Sequence, residues 1–82
     1  MSEKRLAVLS VIVERREVSA NVNAVLSEYG DFIVGRMGVP YKERGVSVIC
    51  VILDAPTEII NGLTGKIGML DGVTAKTLTS KK

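Results

Sequence analysis

Polar side chains that could hold a small anion are concentrated in the segment ERREVSANVN, residues 14–23. A helix predicted to begin with Ser19 as its N-cap would present free backbone N–H groups beside two arginines. That arrangement suits a carboxylate or a phosphate. Every helix has such an end, however, so a capped helix with solvated arginines is the simpler interpretation of these residues alone. The ligand-binding residues predicted in this segment are Arg15, Arg16, Ser19, Asn21 and Asn23.

A second candidate segment, GRMGVPY at residues 35–41, places an arginine and a methionine between two glycines. On a strand at the edge of a sheet, Gly35 and Gly38 would let another backbone or a ligand approach closely. Arg36 would then supply a planar set of donors and Met37 an adaptable apolar contact. The alternative is a bulge that blunts the sheet edge, with Arg36 in solvent. We add Arg36 and Met37 to the predicted ligand-binding residues and assign both glycines to a subunit interface.

The composition argues against catalysis and against a bound metal. The chain has no histidine and a single cysteine, Cys50, so one subunit cannot assemble a zinc or nickel cage. Without histidine or a recognisable pair of carboxylates, no residue is assigned a catalytic role. We therefore expect a protein that is not an enzyme and that holds no metal and no cofactor.

Charge and hydropathy limit the partners of the chain. The net charge is only +2, and no aromatic residue lies on the strands predicted to be central, which disfavours direct binding of nucleic acid. The apolar run at residues 6–13 is far too short to span a bilayer. The single cysteine is typical of a reducing compartment. We expect a cytoplasmic protein that contacts neither nucleic acid nor membrane directly.

The elements that must position these residues follow the order β-α-β-β-α-β. Strands are predicted over residues 5–14, 31–41, 46–54 and 73–80, with one helix between Ser19 and Gly30 and another that begins at Pro56. This order predicts a single α+β domain over residues 1–82. Its fold would be a ferredoxin-like βαββαβ sandwich, with a four-stranded antiparallel sheet and two helices on one face.

Both faces of the predicted central strands are apolar. In residues 46–53, one set of alternate side chains is Val46, Val48, Cys50 and Ile52, and the other is Ser47, Ile49, Val51 and Leu53. Two helices can cover only one face of the sheet. From the sequence, either set of side chains could lie on the face that the helices leave uncovered. We therefore predict a homo-oligomer, a dimer or a tetramer, joined through or beside the sheet. Ile49, Val51 and Leu53 are assigned to its interface.

Three segments carry a resemblance to a known family: GRMGVPY at 35–41, RGVSVI at 44–49 and GKIGMLDGVTAK at 65–76. The whole chain resembles the small ACT-like proteins identified as regulators of the iron-only (FeFe) hydrogenase system. It is also similar to the C-terminal domain of nickel-responsive regulators. The resemblance implies a βαββαβ fold, homo-oligomers and a regulatory role beside hydrogenase maturation genes.

Two departures from the nickel-responsive regulators limit what the resemblance implies. Those proteins bind nickel through histidines and a cysteine, and this chain has no histidine, so nickel sensing is not expected. They also carry a DNA-binding ribbon-helix-helix, whereas only residues 1–4 precede the first predicted strand here. Transcription regulation by this chain would therefore need a separate DNA-binding or hydrogenase-system protein.

These observations together predict a small regulatory module that binds an unidentified small-molecule effector at a subunit boundary. The first βα loop and the second strand would line the effector site. One alternative is a purely structural protein–protein interaction module without a ligand. The other is a small enzyme of the ferredoxin-like type.

Overall fold

The computed structural model describes residues 3–81, which form four strands and two α-helices in the predicted order. The elements are β1 (Lys4–Val13), α1 (Ser19–Glu28), β2 (Ile33–Tyr41), β3 (Val46–Pro56), α2 (Thr57–Gly68) and β4 (Val73–Thr79). Short 3-10 helices join them at Arg16–Val18, Gly30–Phe32 and Lys42–Arg44. The order β-α-β-β-α-β is confirmed.

The four strands form one antiparallel sheet in the order β2-β3-β1-β4. The two most apolar strands, β1 and β3, lie in the middle, as predicted, because central strands are shielded on both sides. One irregularity interrupts β2 between Ile33 and Gly35, where a bulge shifts the pairing with β3. The strand order and the two helices on one face confirm the α+β, ferredoxin-like fold.

The core lies between one face of the sheet and the two helices. Each central strand contributes alternate apolar side chains to it, and the helices contribute residues at helical spacing. The buried residues are Ala7, Leu9, Val11 and Val13 on β1, Ile49, Val51, Leu53 and Ala55 on β3, Val22 and Leu26 on α1, and Ile60, Leu63 and Ile67 on α2. A hydroxyl pair, Thr64 Oγ1 to Thr77 Oγ1 at 2.6 Å, joins α2 to β4 at the edge of this core.

The position of Ile49, Val51 and Leu53 corrects the sequence-based assignment of the interface. All three face the helices and are 0–6% exposed, so none is available to a contact on the other face of the sheet. The physical reason is that, on their side, every residue from Ala7 to Val13 of β1 and from Ile49 to Ala55 of β3 is apolar. The opposite side carries Ser10 on β1 and Asp54 on β3, and it therefore faces outward.

The ends of α1 differ from the prediction. The segment Arg16–Val18 already turns as a 3-10 helix, so the residue before α1 is Val18, which has no capping side chain, and Ser19 is inside the helix. At the other end, α1 stops at Glu28, one residue before Tyr29, and Gly30 begins the next 3-10 turn. The left-handed backbone occurs at two other glycines, Gly45 and Gly72, with φ of 66° and 74°.

Shortening Leu63 to alanine tests the packing of α2 on the sheet. Leu63 is completely buried, so we expect Leu63→Ala to lower the free energy of unfolding by about 2–5 kcal/mol. Met69, at the end of the same helix, is 87% exposed, and Met69→Ala should change it by less than about 0.5 kcal/mol. Urea unfolding at one fixed protein concentration measures both, and equal effects of the two changes would contradict this packing.

Candidate functional site

The first arginine after β1, Arg15, is committed to ion pairs within the chain. Its guanidinium pairs with Glu17 at 2.6 Å and with Asp71, which lies in the turn between α2 and β4. The hydrogen bond and charge of Glu17, and then Asp71, raise the pKa of Arg15. A backbone N–H and the Arg15 guanidinium lower the pKa of Glu17. Arg15 therefore acts as a structural tie between the first βα junction and the start of β4.

Gly72 makes this tie sterically possible. A Cβ atom placed on Gly72 would lie 2.5 Å from Cγ of Arg15, and the φ of 74° also disfavours any other residue. The Gly72 carbonyl accepts a hydrogen bond of 2.8 Å from the backbone N–H of Glu14. The end of β1 is thus held in place by both backbone and side-chain contacts.

The second arginine, Arg16, lines a cavity of about 280 Å³ at the end of the sheet. The cavity lies between the end of β1 and the β2–β3 hairpin, whose residues Tyr41, Lys42 and Ser47 form much of the opposite wall. Neither Arg16 nor Lys42 makes a side-chain hydrogen bond or an ion pair with any of residues 3–81. Two basic residues therefore line this cavity, and neither is paired with a carboxylate in the described part of the chain.

A second cavity of about 220 Å³ adjoins the first and lies between α1 and β2. Its polar lining comes from Ser19, Asn23 and Arg36, and it shares Pro40 and Ser47 with the first cavity. Arg36 donates a hydrogen bond of 2.6 Å to the side-chain oxygen of Asn23, which ties the guanidinium of β2 to α1. The two cavities together form what we call the cationic groove, defined by Arg16, Ser19, Asn23, Arg36, Lys42 and Ser47.

The groove brings together some of the predicted ligand-binding residues and excludes others. Arg16, Ser19, Asn23 and Arg36 line it, and so does Gly38, which was assigned to an interface. Because no carboxylate occurs among the described lining residues, the local charge is positive. The arrangement can hold a small anion through guanidinium, ammonium, hydroxyl and amide donors.

Three predicted ligand-binding residues lie elsewhere. Arg15 is paired away from the groove, and Asn21 is exposed on α1 outside both cavities. Met37 lies on the opposite face of the sheet from Arg36, because neighbouring residues of a strand point to opposite sides. At Gly35 and Gly38 the space that a side chain would occupy is open, so no other described part of the chain approaches either glycine closely.

Two groove residues, Lys42 and Ser47, were missed from the sequence, and so was Tyr41 in the wall of the first cavity. Their segment was interpreted only as a hairpin loop and the start of a strand. The predicted fold could have pointed to Ser47. When β1 and β3 pair antiparallel, the start of β3 lies beside the end of β1. In the structure, Val13 at the end of β1 is paired with Ser47.

A separate charge cluster joins the two helices and does not belong to the groove. Lys66 lies 3.4 Å from Glu28 and 5.2 Å from the centre of the Tyr29 ring. A hydrogen bond to Tyr29, followed by Glu28, raises the pKa of Lys66. Among the described residues, no three His, Cys, Asp or Glu side chains are grouped so that they could hold a metal ion.

The fold and the groove define a small ACT-like α+β domain. The sequence model of the TM1266-like family, described as a candidate regulator of the iron-only hydrogenase system, matches residues 5–77, and the chain belongs to this family. The solved structure of the uncharacterised protein TM1266 from Thermotoga maritima is similar, with a TM-score of 0.92 and 32% sequence identity. That similarity covers 96% of this chain and 100% of the other. No curated protein matches the chain.

Within residues 3–81, none of the helices has the length and apolar character needed to cross a membrane.

Replacing Gly72 tests the tie between Arg15 and the α2–β4 turn. We expect Gly72→Ala to lower the free energy of unfolding by roughly 1–3 kcal/mol, since alanine would be strained at this φ and would displace the Arg15 side chain. The matched change Gly65→Ala has open space inside α2 and should raise stability by about 0.5–1 kcal/mol.

Chemical denaturation at a fixed protein concentration distinguishes the two glycine variants. A Gly72→Ala protein as stable as the parent would show that Arg15 does not constrain this turn.

Proposed function

We propose that this protein is a non-enzymatic regulatory module of an iron-only hydrogenase system, which responds to a small anionic effector bound in the cationic groove. The observation that carries the proposal is the pair of uncompensated cations, Arg16 and Lys42, facing one cavity beside Arg36. Membership of the TM1266-like family supports the connection with the hydrogenase system.

The contrast between Arg15 and Arg16 supports an anion as the effector. The charge of Arg15 is already balanced by its ion pairs with Glu17 and Asp71. Arg16 and Lys42 lack such partners among the described residues, and an anion between them would gain charge-assisted hydrogen bonds. Each such bond contributes about 1.5–3 kcal/mol when it replaces an equivalent bond to water.

The size and walls of the groove restrict the effector further. A cavity of about 280 Å³ is near the lower end of the range for small-molecule sites, which favours a metabolite over a large cofactor. Guanidinium groups match carboxylate and phosphate in geometry. The rings of Tyr41 and Pro40, with Val13, supply an apolar wall for the remainder of the molecule. The effector class is therefore a small carboxylate or phosphate ester with an apolar part.

The proposed mechanism is a change in assembly or in affinity for a partner. The groove lies between the end of β1, which carries Arg16, and the β2–β3 hairpin, which carries Lys42. An anion that binds both side chains would favour the conformation in which the hairpin lies close to the end of β1. A ligand shifts such an equilibrium only by the difference in its affinity for the two states. The partner would be a separate DNA-binding or hydrogenase-system protein, and we retain a cytoplasmic location as part of the proposal.

Thermal unfolding in the presence of inorganic phosphate, citrate or adenosine monophosphate tests the site. We expect at least one of these anions to raise the melting temperature in a concentration-dependent manner, and neutral adenosine not to do so. In Arg16→Gln the apparent dissociation constant should increase about tenfold or more, which corresponds to about 1.4 kcal/mol or more. Arg15→Gln removes the same charge from the neighbouring position and should leave the anion-induced shift in place.

Two results would contradict the proposal. One is the absence of a melting-temperature shift with any of the three anions at millimolar concentration. The other is an equal shift in the parent and in Arg16→Gln, since that would place the anion outside the groove. The first result would favour the structural interaction module without a ligand.

A further inference from the structure

The cationic groove carries basic side chains at both of its ends. Arg16 and Lys42 line the first cavity, and Arg36 lines the second. In the described part of the chain Arg36 has no carboxylate partner, because the side-chain hydrogen bond that it makes goes to the neutral amide of Asn23. Glu43, which follows Lys42 in the sequence, lines neither cavity. Basic residues without a carboxylate partner in this range therefore occupy two separate places in the groove.

The two cavities meet along one wall. Pro40 on β2 and Ser47 on β3 are paired across the sheet, and both residues line each cavity. A molecule in the first cavity therefore contacts the same wall as a molecule in the second. One elongated ligand can extend along this wall from Lys42 to Arg36.

Gly38 lies on the groove side of β2, between Arg36 and Pro40. A Cβ atom placed on Gly38 would meet no heavy atom within 4 Å, and its φ is not in the left-handed region. Neither the backbone nor the packing within residues 3–81 therefore requires a glycine here. What Gly38 provides is open space in the second cavity, and a larger side chain would fill part of it.

The length of the groove determines how far apart two bound groups would lie. Gly38 lines the second cavity, and Tyr41 lines the first. A strand rises about 3.4 Å per residue, so these two residues are on the order of 10 Å apart along β2. The long basic side chains that line the groove reduce the gap that a ligand must span. A ligand that contacts both ends still needs a linker of several carbon atoms between its charged groups.

We propose that the effector carries two separate anionic groups, one bound by Arg16 and Lys42 and the other by Arg36. Its linker passes over Gly38 and along the ring of Pro40, which favours an unbranched and largely apolar chain. The chemical class is a dicarboxylate or a phosphorylated carboxylate, whose oxygens accept charge-assisted hydrogen bonds from guanidinium and ammonium groups. This inference rests on the proposed function and narrows its effector from a small anion to a molecule with two anionic ends.

Two linked anionic groups bind more tightly than one, because binding of the first group holds the second close to its own partner. A ligand with a single anionic group forms charge-assisted hydrogen bonds at one end of the groove and leaves the basic residues at the other end to water. The difference in affinity between the two kinds of ligand therefore measures whether both ends are used.

Isothermal titration calorimetry at fixed ionic strength compares ligands that differ only in the second anionic group. Adipate is paired with hexanoate, and phosphonobutyrate is paired with butylphosphonate. In at least one pair, we expect the ligand with two anionic groups to bind at least about tenfold more tightly than its partner. Malonate has the same charge as adipate but a linker too short to reach both ends, so it should show no such advantage over acetate.

Arg36→Gln should remove most of the advantage of the second anionic group and leave the affinity for the ligand with one group nearly unchanged. The matched control Arg44→Gln removes the same charge from an exposed residue that lines neither cavity, and it should retain the advantage. Gly38→Val fills space in the second cavity without removing a charge and should also reduce the advantage. Its control is Gly35→Val, which adds the same side chain to open space on β2 outside both cavities.

Circular dichroism checks the folding of each variant. If the ligands of both pairs bind equally well and Arg16→Gln weakens them equally, the groove takes a single anionic group. That result would overturn this inference and leave the proposed function in place. An equal loss of the advantage in Arg36→Gln and Arg44→Gln would also overturn it, because the advantage would then come from overall charge. If no anion binds the parent, the inference and the proposed function fall together.

Discussion

The structure depends on one constraint: a four-stranded sheet with two apolar faces has helices for only one of them. On the helix side of β1 and β3, the apolar residues from Ala7 to Val13 and from Ile49 to Ala55 are at most 6% exposed. The face away from the helices, which we call the outer face, has the same kind of side chains, interrupted by Ser10 in the middle and Asp54 near one end. The distinction between the core and the outer face thus rests on very few polar residues. A single domain of this size is marginally stable, and burial of the outer face would add to its stability.

The central strand β1 also determines where the positive charges lie. Val13 is buried at its end, and the two following arginines diverge, one toward the α2–β4 turn and the other toward the groove. Because Gly72 and Asp71 hold Arg15, the backbone that carries Arg16 is fixed on one side. The opposite wall of the groove belongs to an exposed edge strand and its hairpin. One wall is therefore anchored in the core, and the other is largely exposed.

The sequence was sufficient for the order of elements, the central position of β1 and β3, and the apolar stripes of both helices, since these depend on local periodicity. Four of the residues predicted from the sequence to bind a ligand, including Arg16 and Arg36, line the groove. The outward set of β3 side chains was assigned wrongly because both sets are mainly apolar and each contains a polar residue. The deciding signal was the position of Ser10 and Asp54 on one side, opposite an unbroken apolar run from Ile49 to Ala55. The ion pair between Arg15 and Asp71 could not be predicted, because the two residues are 56 positions apart in the sequence. It also requires the Arg15 side chain to pack against Gly72, and no local sequence pattern indicates that contact. Lys42 and Ser47 depend on strand register in the same way.

The strand β2 contributes to both surfaces and gives a physical route between them. Its residues Arg36, Gly38 and Pro40 face the groove, while Met37 and Val39 alternate with them and face outward. The bulge before Gly35 breaks the pairing of β2 with β3 at one end, so the strand is less constrained there than β1 or β3. An effector that draws the hairpin toward Arg16 would tilt β2 and change the shape of the outer face through Met37 and Val39.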